Sequence, residues 1–80
     1  MQNNTSSDTL KVGKIVETQK NERFECTGII YGKLKGETKD NEYKVLQRLN
    51  PDGSIGKQEF YYTDEQWKKA VLDGKIKFVN

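Results

Sequence analysis

Histidine is absent from this chain of 80 residues, and cysteine, proline, methionine and tryptophan occur once each. Without histidine there is no imidazole to act as general base, no Ser-His or Cys-His nucleophile pair, and no copy of the commonest metal ligand. The lone Cys26 has no partner for an internal disulfide. Set in the middle of a strand-like run, it reads as a small core residue and not as a nucleophile. No apolar secretory segment follows Met1, and no apolar run approaches the roughly 18–20 residues of a membrane span, so a reducing cytosol is the expected location and a membrane is not an expected partner. Arginine is scarce too: of 14 basic residues only Arg23 and Arg48 are arginine. Dispersed lysine serves solubility more often than base reading, which leans on the bidentate guanidinium. Net charge is only +2.

Eighty residues allow one domain with one thin core. The apolar fraction is 32%, but it gathers into short runs after residue 10, which is the mark of a folded chain. Residues 1–9, MQNNTSSDT, lack periodicity and are expected to be a disordered tail. A single small domain is expected over residues 10–80. LKVGKIVETQ alternates as a first strand, with Leu10, Val12 and Ile15 or Val16 inward and Gly13 marking a bulge or bend. RFECTGIIYGKL is the longest strand candidate. Phe24, Cys26, Ile30 and Leu34 share one face at period two, and Gly28 and Gly32 on that face give a strand room to coil.

EYKVLQRLN and IGKQEFYYT flank NPDGS, whose proline and glycine supply the φ values a turn needs, so the two segments form a hairpin. Thr63 with Gln66 makes a capping box, Asp64 and Glu65 suit the positive end of a helix dipole, and Gly74 supplies a left-handed stop. One helix over about residues 64–73 follows, with Trp67, Ala70 and Val71 as its buried stripe and Lys68 and Lys69 outward. KIKFVN is the last strand, with Ile76 and Phe78 on one side. The acids beside the aromatic stretch QEFYYTDEQW are thus helix-start chemistry, and Trp67 can cover the end of the core.

The expected class is mainly β with one short helix, in the order β-β-β-β-α-β. With VGKIV leading, TGIIYGKL as a bent second strand and YKVLQRLNPDGSIGKQEFYYTDEQW as hairpin and helix start, the chain resembles small SH3-like barrels over roughly residues 10–79, in the style of short barrel proteins of phage and plasmid genomes. Among barrels of this size are the plasmid-borne type II dihydrofolate reductases, homotetramers with a Val-Gln-Ile-Tyr strand segment lining a shared pore. VGKIV and TGIIYG are similar to that family's first two strands. The segment aligned with the pore here is Glu59-Phe60-Tyr61-Tyr62, which keeps only the tyrosine, so the resemblance does not extend to reductase activity.

No zinc set can be assembled, GIIYGKLKG lacks the helix that a phosphate loop requires, and NPDGSIG lacks the terminal glutamate of a calcium loop, so no metal or cofactor is expected. What remains is a surface. Tyr61, alternating away from Phe60 and Tyr62, is expected to face a partner with Tyr31 and Lys57 as neighbours, and Tyr43, Lys33, Lys35 and Arg48 extend this aromatic and basic set. The expected function is a non-enzymatic binding module, an interaction or inhibitory factor for a protein partner. The alternatives are nucleic-acid binding by base stacking and sequestration of a nucleotide-like small molecule between subunits. A chain with so thin a core is also a candidate homo-oligomer.

Overall fold

A computed structural model describes residues 9–79. Its elements are β1 (Ile15–Thr18), β2 (Arg23–Gly32), β3 (Asn41–Leu49), β4 (Ile55–Tyr62), α1 (Asp64–Leu72) and β5 (Ile76–Phe78). The expected tail over residues 1–9 lies, apart from Thr9, outside the described residues.

The five strands form one antiparallel sheet in the order β4-β3-β2-β1-β5. The sheet is not closed into a barrel among the described residues. The three residues of β5 pair with β1 through Val16 opposite Phe78 and Thr18 opposite Ile76, which among the described residues leaves the outer edge of β4 without a strand. Helix α1 spans from the end of β4 to the start of β5 and packs on β3, β4 and β5.

Leu10, Val16, Phe24, Cys26, Leu46, Trp67, Ala70 and Ile76 make the core, with Tyr62, Val71 and Phe78 packed against it. Cross-strand partners point to the same side of a sheet. Thus Val16 with Phe24, and Cys26 with Leu46 and Phe60, define the helix-bearing face.

The long second strand departs from simple alternation. Its register with β3 shifts between Cys26 and Gly28, leaving Thr27 as an extra residue, its hydroxyl donating to Gln47 Oε1 at 2.7 Å. One inserted residue inverts the side-chain pattern beyond it. Ile29 and Tyr31, opposite Lys44 and Glu42, therefore join the helix-bearing face, while Ile30, opposite Tyr43, is exposed on the other. The expectation that Ile30 continues the row of Phe24 and Cys26 is corrected by this bulge. Glycine is not what makes room for it, because a side chain at Gly28 would meet no atom within 4 Å. The start of the chain is corrected as well. Gly13 has φ 98° and lies in a turn before β1, so Leu10 enters the core while Val12 is exposed.

The hairpin and helix form as their residues dictate. In the turn, Gly53 has φ 89° and its N–H donates to the Asn50 carbonyl, while Asp52 Oδ1 accepts from both the Ser54 amide and its hydroxyl. The Thr63 hydroxyl accepts from the Gln66 amide at 3.2 Å and Gln66 Oε1 accepts from the Thr63 amide at 2.9 Å, a complete capping box. At the other end Gly74, with φ 78°, lets the Lys75 amide reach the Ala70 carbonyl and its own amide reach the Val71 carbonyl, a Schellman stop.

Trp67 is 4% exposed and meets Phe78 edge-on at 6.0 Å. Replacing it with alanine is expected to lower the unfolding free energy by about 3–5 kcal/mol, read from the urea midpoint. Tyr43 is 2% exposed and its buried hydroxyl has no hydrogen-bond partner among the described residues. Tyr43→Phe is expected to raise the unfolding free energy by about 1 kcal/mol, read from the urea midpoint, since an unsatisfied buried hydroxyl costs desolvation that phenylalanine avoids; a lowered midpoint would show that the hydroxyl is bonded in solution.

A candidate binding cleft at the open seam

Between the free side of β4 and the start of β5 the surface opens into a cleft of about 430 Å³. One wall is the helix-bearing face of β4, through Gln58, Phe60 and Tyr62; the other is the turn after β1, through residues 18–20 and Glu22, and the base of β5 at Lys75 and Ile76. Phe60 and Tyr62 lie at period two and stack at 6.4 Å with planes 10° apart, and Phe60 also meets Phe24 at 5.2 Å. Phe60 is nevertheless 42% exposed, because no strand among the described residues lies over it.

The far wall is held by its own hydrogen bonds. The Thr18 amide donates to the Glu22 carbonyl, Asn21 adopts φ 65° with its amide on the Thr18 carbonyl, and the Thr18 hydroxyl accepts from the Lys20 and Glu22 amides. Gln19 Nε2 donates to the Gly74 carbonyl at 3.2 Å and fastens this turn to the end of the helix. Behind the aromatic wall Arg48 bonds both Glu22 and Gln58 at 3.2 Å and lies 5.9 Å from the Phe24 ring. The rim thus carries two exposed ammonium groups, Lys20 and Lys75, against one carboxylate already held by arginine. Apolar rings beside a mildly cationic rim suit an apolar side chain next to an acidic one.

The residues expected to form a recognition surface do not meet in one place. Tyr31, 73% exposed, stands on the helix-bearing face, whereas Tyr61, opposite Val45, and Lys57, two positions from Glu59, stand on the other. Tyr61 is half-buried and donates its hydroxyl to Glu59 Oε1. That acceptor raises the Tyr61 phenol above its ordinary range, because ionisation would set two negative charges together. Tyr43 is buried and offers no surface to a partner. Lys33 pairs with Asp40 at 3.1 Å, Lys35 is exposed in the loop before β3, and Arg48 is spent on Glu22 and Gln58.

Comparison of the chain with protein-family models, curated proteins and solved structures gives no match.

Burial pushes the Cys26 thiol up from its ordinary value, and its Sγ approaches the Gly28 carbonyl at 3.7 Å. No cluster of three or more metal-ligating side chains is found, and no helix is long and apolar enough to cross a membrane, among the described residues. Lys44 is the one charged residue buried in the sheet among those described. It is 8% exposed, with its ammonium on Glu42 at 2.7 Å and 3.7 Å from Asp64. The Glu42 bond holds its pKa above the ordinary lysine value. Alternation put Phe60 and Tyr62 on one side of β4, but the cleft they line depends on where β5 goes.

Asp64 ties the electrostatics to the core. Its Oδ1 accepts from Trp67 Nε1 at 3.0 Å, and this bond first, then the Lys44 charge, holds its carboxyl below the ordinary aspartate range. A lowered folded-state pKa means that stability is present above the unfolded value of about 3.9 and is lost as pH falls through the folded value. Wild type is therefore expected to lose stability below about pH 4, and Asp64→Asn to lose less over the same interval. Urea midpoints across that range, followed by Trp67 fluorescence, check this.

Proposed function

We propose that this protein is a non-catalytic binding module of the reducing cytosol that holds an exposed segment of a protein partner in the cleft beside β4. The observation that carries the reading is the stacked pair Phe60 and Tyr62 left uncovered at the seam, with Lys20 and Lys75 on the opposite rim. Partly sheltered rings against a hydrogen-bonded wall are the kind of anchor that dominates protein interfaces. Both arginines are engaged by carboxylates, Arg23 by Glu17 and Arg48 by Glu22. That weakens the case for a phosphate-tracking groove, which needs free cations in a row. The buried thiol with its raised pKa supports the non-catalytic reading. The fold is best read as a small SH3-like barrel opened at one seam, with the cleft at the opening.

The test is selection of a random peptide library on the chain, followed by titration of the enriched soluble peptides. Peptides pairing an apolar side chain with an acidic one are expected. Phe60→Ala should weaken them by about 2 kcal/mol, or about 30-fold, Lys75→Glu should weaken them without altering the melt, and Tyr61→Ala should leave them bound. Failure to enrich any peptide, together with single-stranded oligonucleotide binding that falls steeply with salt, would replace the protein partner by nucleic acid.

A further inference from the structure

Strand β2 is longer than the strand beside it, and β1 covers only its first part. Ile15, Val16 and Glu17 pair with Glu25, Phe24 and Arg23, and beyond them Cys26 bonds Gly13 and Lys14 on the same side. From Gly28 to Gly32 the strand pairs with β3 in unbroken register on one edge, and with no strand among the described residues on the other. This open edge carries Ile29, Ile30 and Tyr31 in succession, all three exposed. Small proteins guard such edges with charge, proline or a bulge. GIIYG has neither charge nor proline, the bulge at Thr27 ends before it, and the lysine that follows it, Lys33, is held by Asp40 at 3.1 Å.

We propose that this edge pairs antiparallel with the same edge of a second copy, about a two-fold axis perpendicular to the sheet through Ile30. The segment is complementary to itself in that register: Ile29 of each copy lies opposite Tyr31 of the other, Ile30 meets its own counterpart, and Gly28 lies opposite Gly32. An aliphatic against an aromatic or β-branched side chain is a favourable cross-strand pair, and one symmetry operation supplies three of them. Because such an axis keeps each face on its own side, the two Ile29 and Tyr31 pairs join on the helix-bearing face and the Ile30 pair on the other. The residues on either side select this register. Moving the axis to Ile29 sets the bulged Thr27 opposite Tyr31, and moving it to Tyr31 sets Lys33 opposite Ile29. Pairing over Gly28–Gly32 alone makes a small interface, so the dimer is weak and reversible. None of these residues lines the cleft beside β4, so either proposal can fail alone.

Sedimentation equilibrium of the full chain is expected to give a mass that rises from 9.3 kDa toward twice that value as the concentration reaches the high micromolar range. Ile30→Lys and Ile30→Glu each set like charges face to face at the axis, and each should hold the single-chain mass with an unchanged far-ultraviolet circular dichroism spectrum. An equimolar mixture of the two should associate again, because the introduced base of one then meets the introduced acid of the other. Leu72→Lys removes an exposed apolar side chain at the end of the helix and should leave the dimer as it is. A wild type that stays at 9.3 kDa, a mass that climbs beyond twice that, Ile30 variants that still dimerise alone, or a dimer lost with Leu72 overturns the proposal. Should the Ile30 variants fail to fold, amide exchange of the wild type over residues 28–32 decides. Protection that rises with concentration supports the interface; protection already complete at the lowest concentration overturns it and gives the edge to a segment of the same chain, and an edge unprotected at every concentration overturns it as well.

Discussion

Trp67 holds together a core that the sheet cannot enclose alone. The strands leave the helix-bearing face uncovered wherever β4 and β5 fail to meet, and α1 is the element that runs from one to the other. Its large ring reaches Phe78 on the last strand and lies in the same cluster as Leu46 and Phe24 in the middle of the sheet. A domain with so few buried side chains has stability of only about 5–15 kcal/mol at best, so one indole is a large share of it. The same ring is fastened by Asp64, and Asp64 by its nearness to Lys44. The first turn of the helix, the indole and the buried lysine of β3 are thus joined by one chain of polar contacts.

The second constraint is the single extra residue at Thr27. Before it, β2 gives Phe24 and Cys26 to the core; after it, the same face receives Ile29 and Tyr31, which lie beyond the reach of the helix and are exposed. A strand of ten residues is thereby divided into a core half and a surface half. The bulge also places Tyr31 on a different side from Tyr61, so the two tyrosines do not assemble into a single aromatic patch.

Exposed aromatic surface concentrates where the sheet is left open. At the seam Phe60 is half wrapped by Phe24 and Tyr62 and half exposed, and the opposite wall is braced by backbone bonds and by Gln19 on Gly74. Under the proposed function such a wall would lose little freedom on binding, which favours affinity beyond what its area provides. The two sides of β4 thus differ in exposure: Phe60 and Tyr62 border the cleft on the helix-bearing side, and Tyr61 and Glu59 bond one another on the other.

The sequence by itself determined what local chemistry can determine. The capping box at Thr63 and Gln66, the stop at Gly74, the hairpin at residues 50–54 and the buried stripe of Trp67, Ala70 and Val71 all depend on residues within a turn or two of one another, and each stands where its residues require. Alternation also placed Phe60 and Tyr62 on the opposite side from Tyr61. Only the tertiary structure decided the rest. The bulge at Thr27 is a matter of register between β2 and β3, to which RFECTGIIYG alone gives no clue, and it sent Ile30 outward against the period-two pattern. Tyr43 is buried although it lies opposite Ile30 on the face away from the helix, a position no local pattern reveals. The cleft exists because β5 pairs with β1 and not with β4. Pairing partners far apart in the chain are chosen by the packing of the whole domain, so the exposure of Phe60 could not be read from the residues around it.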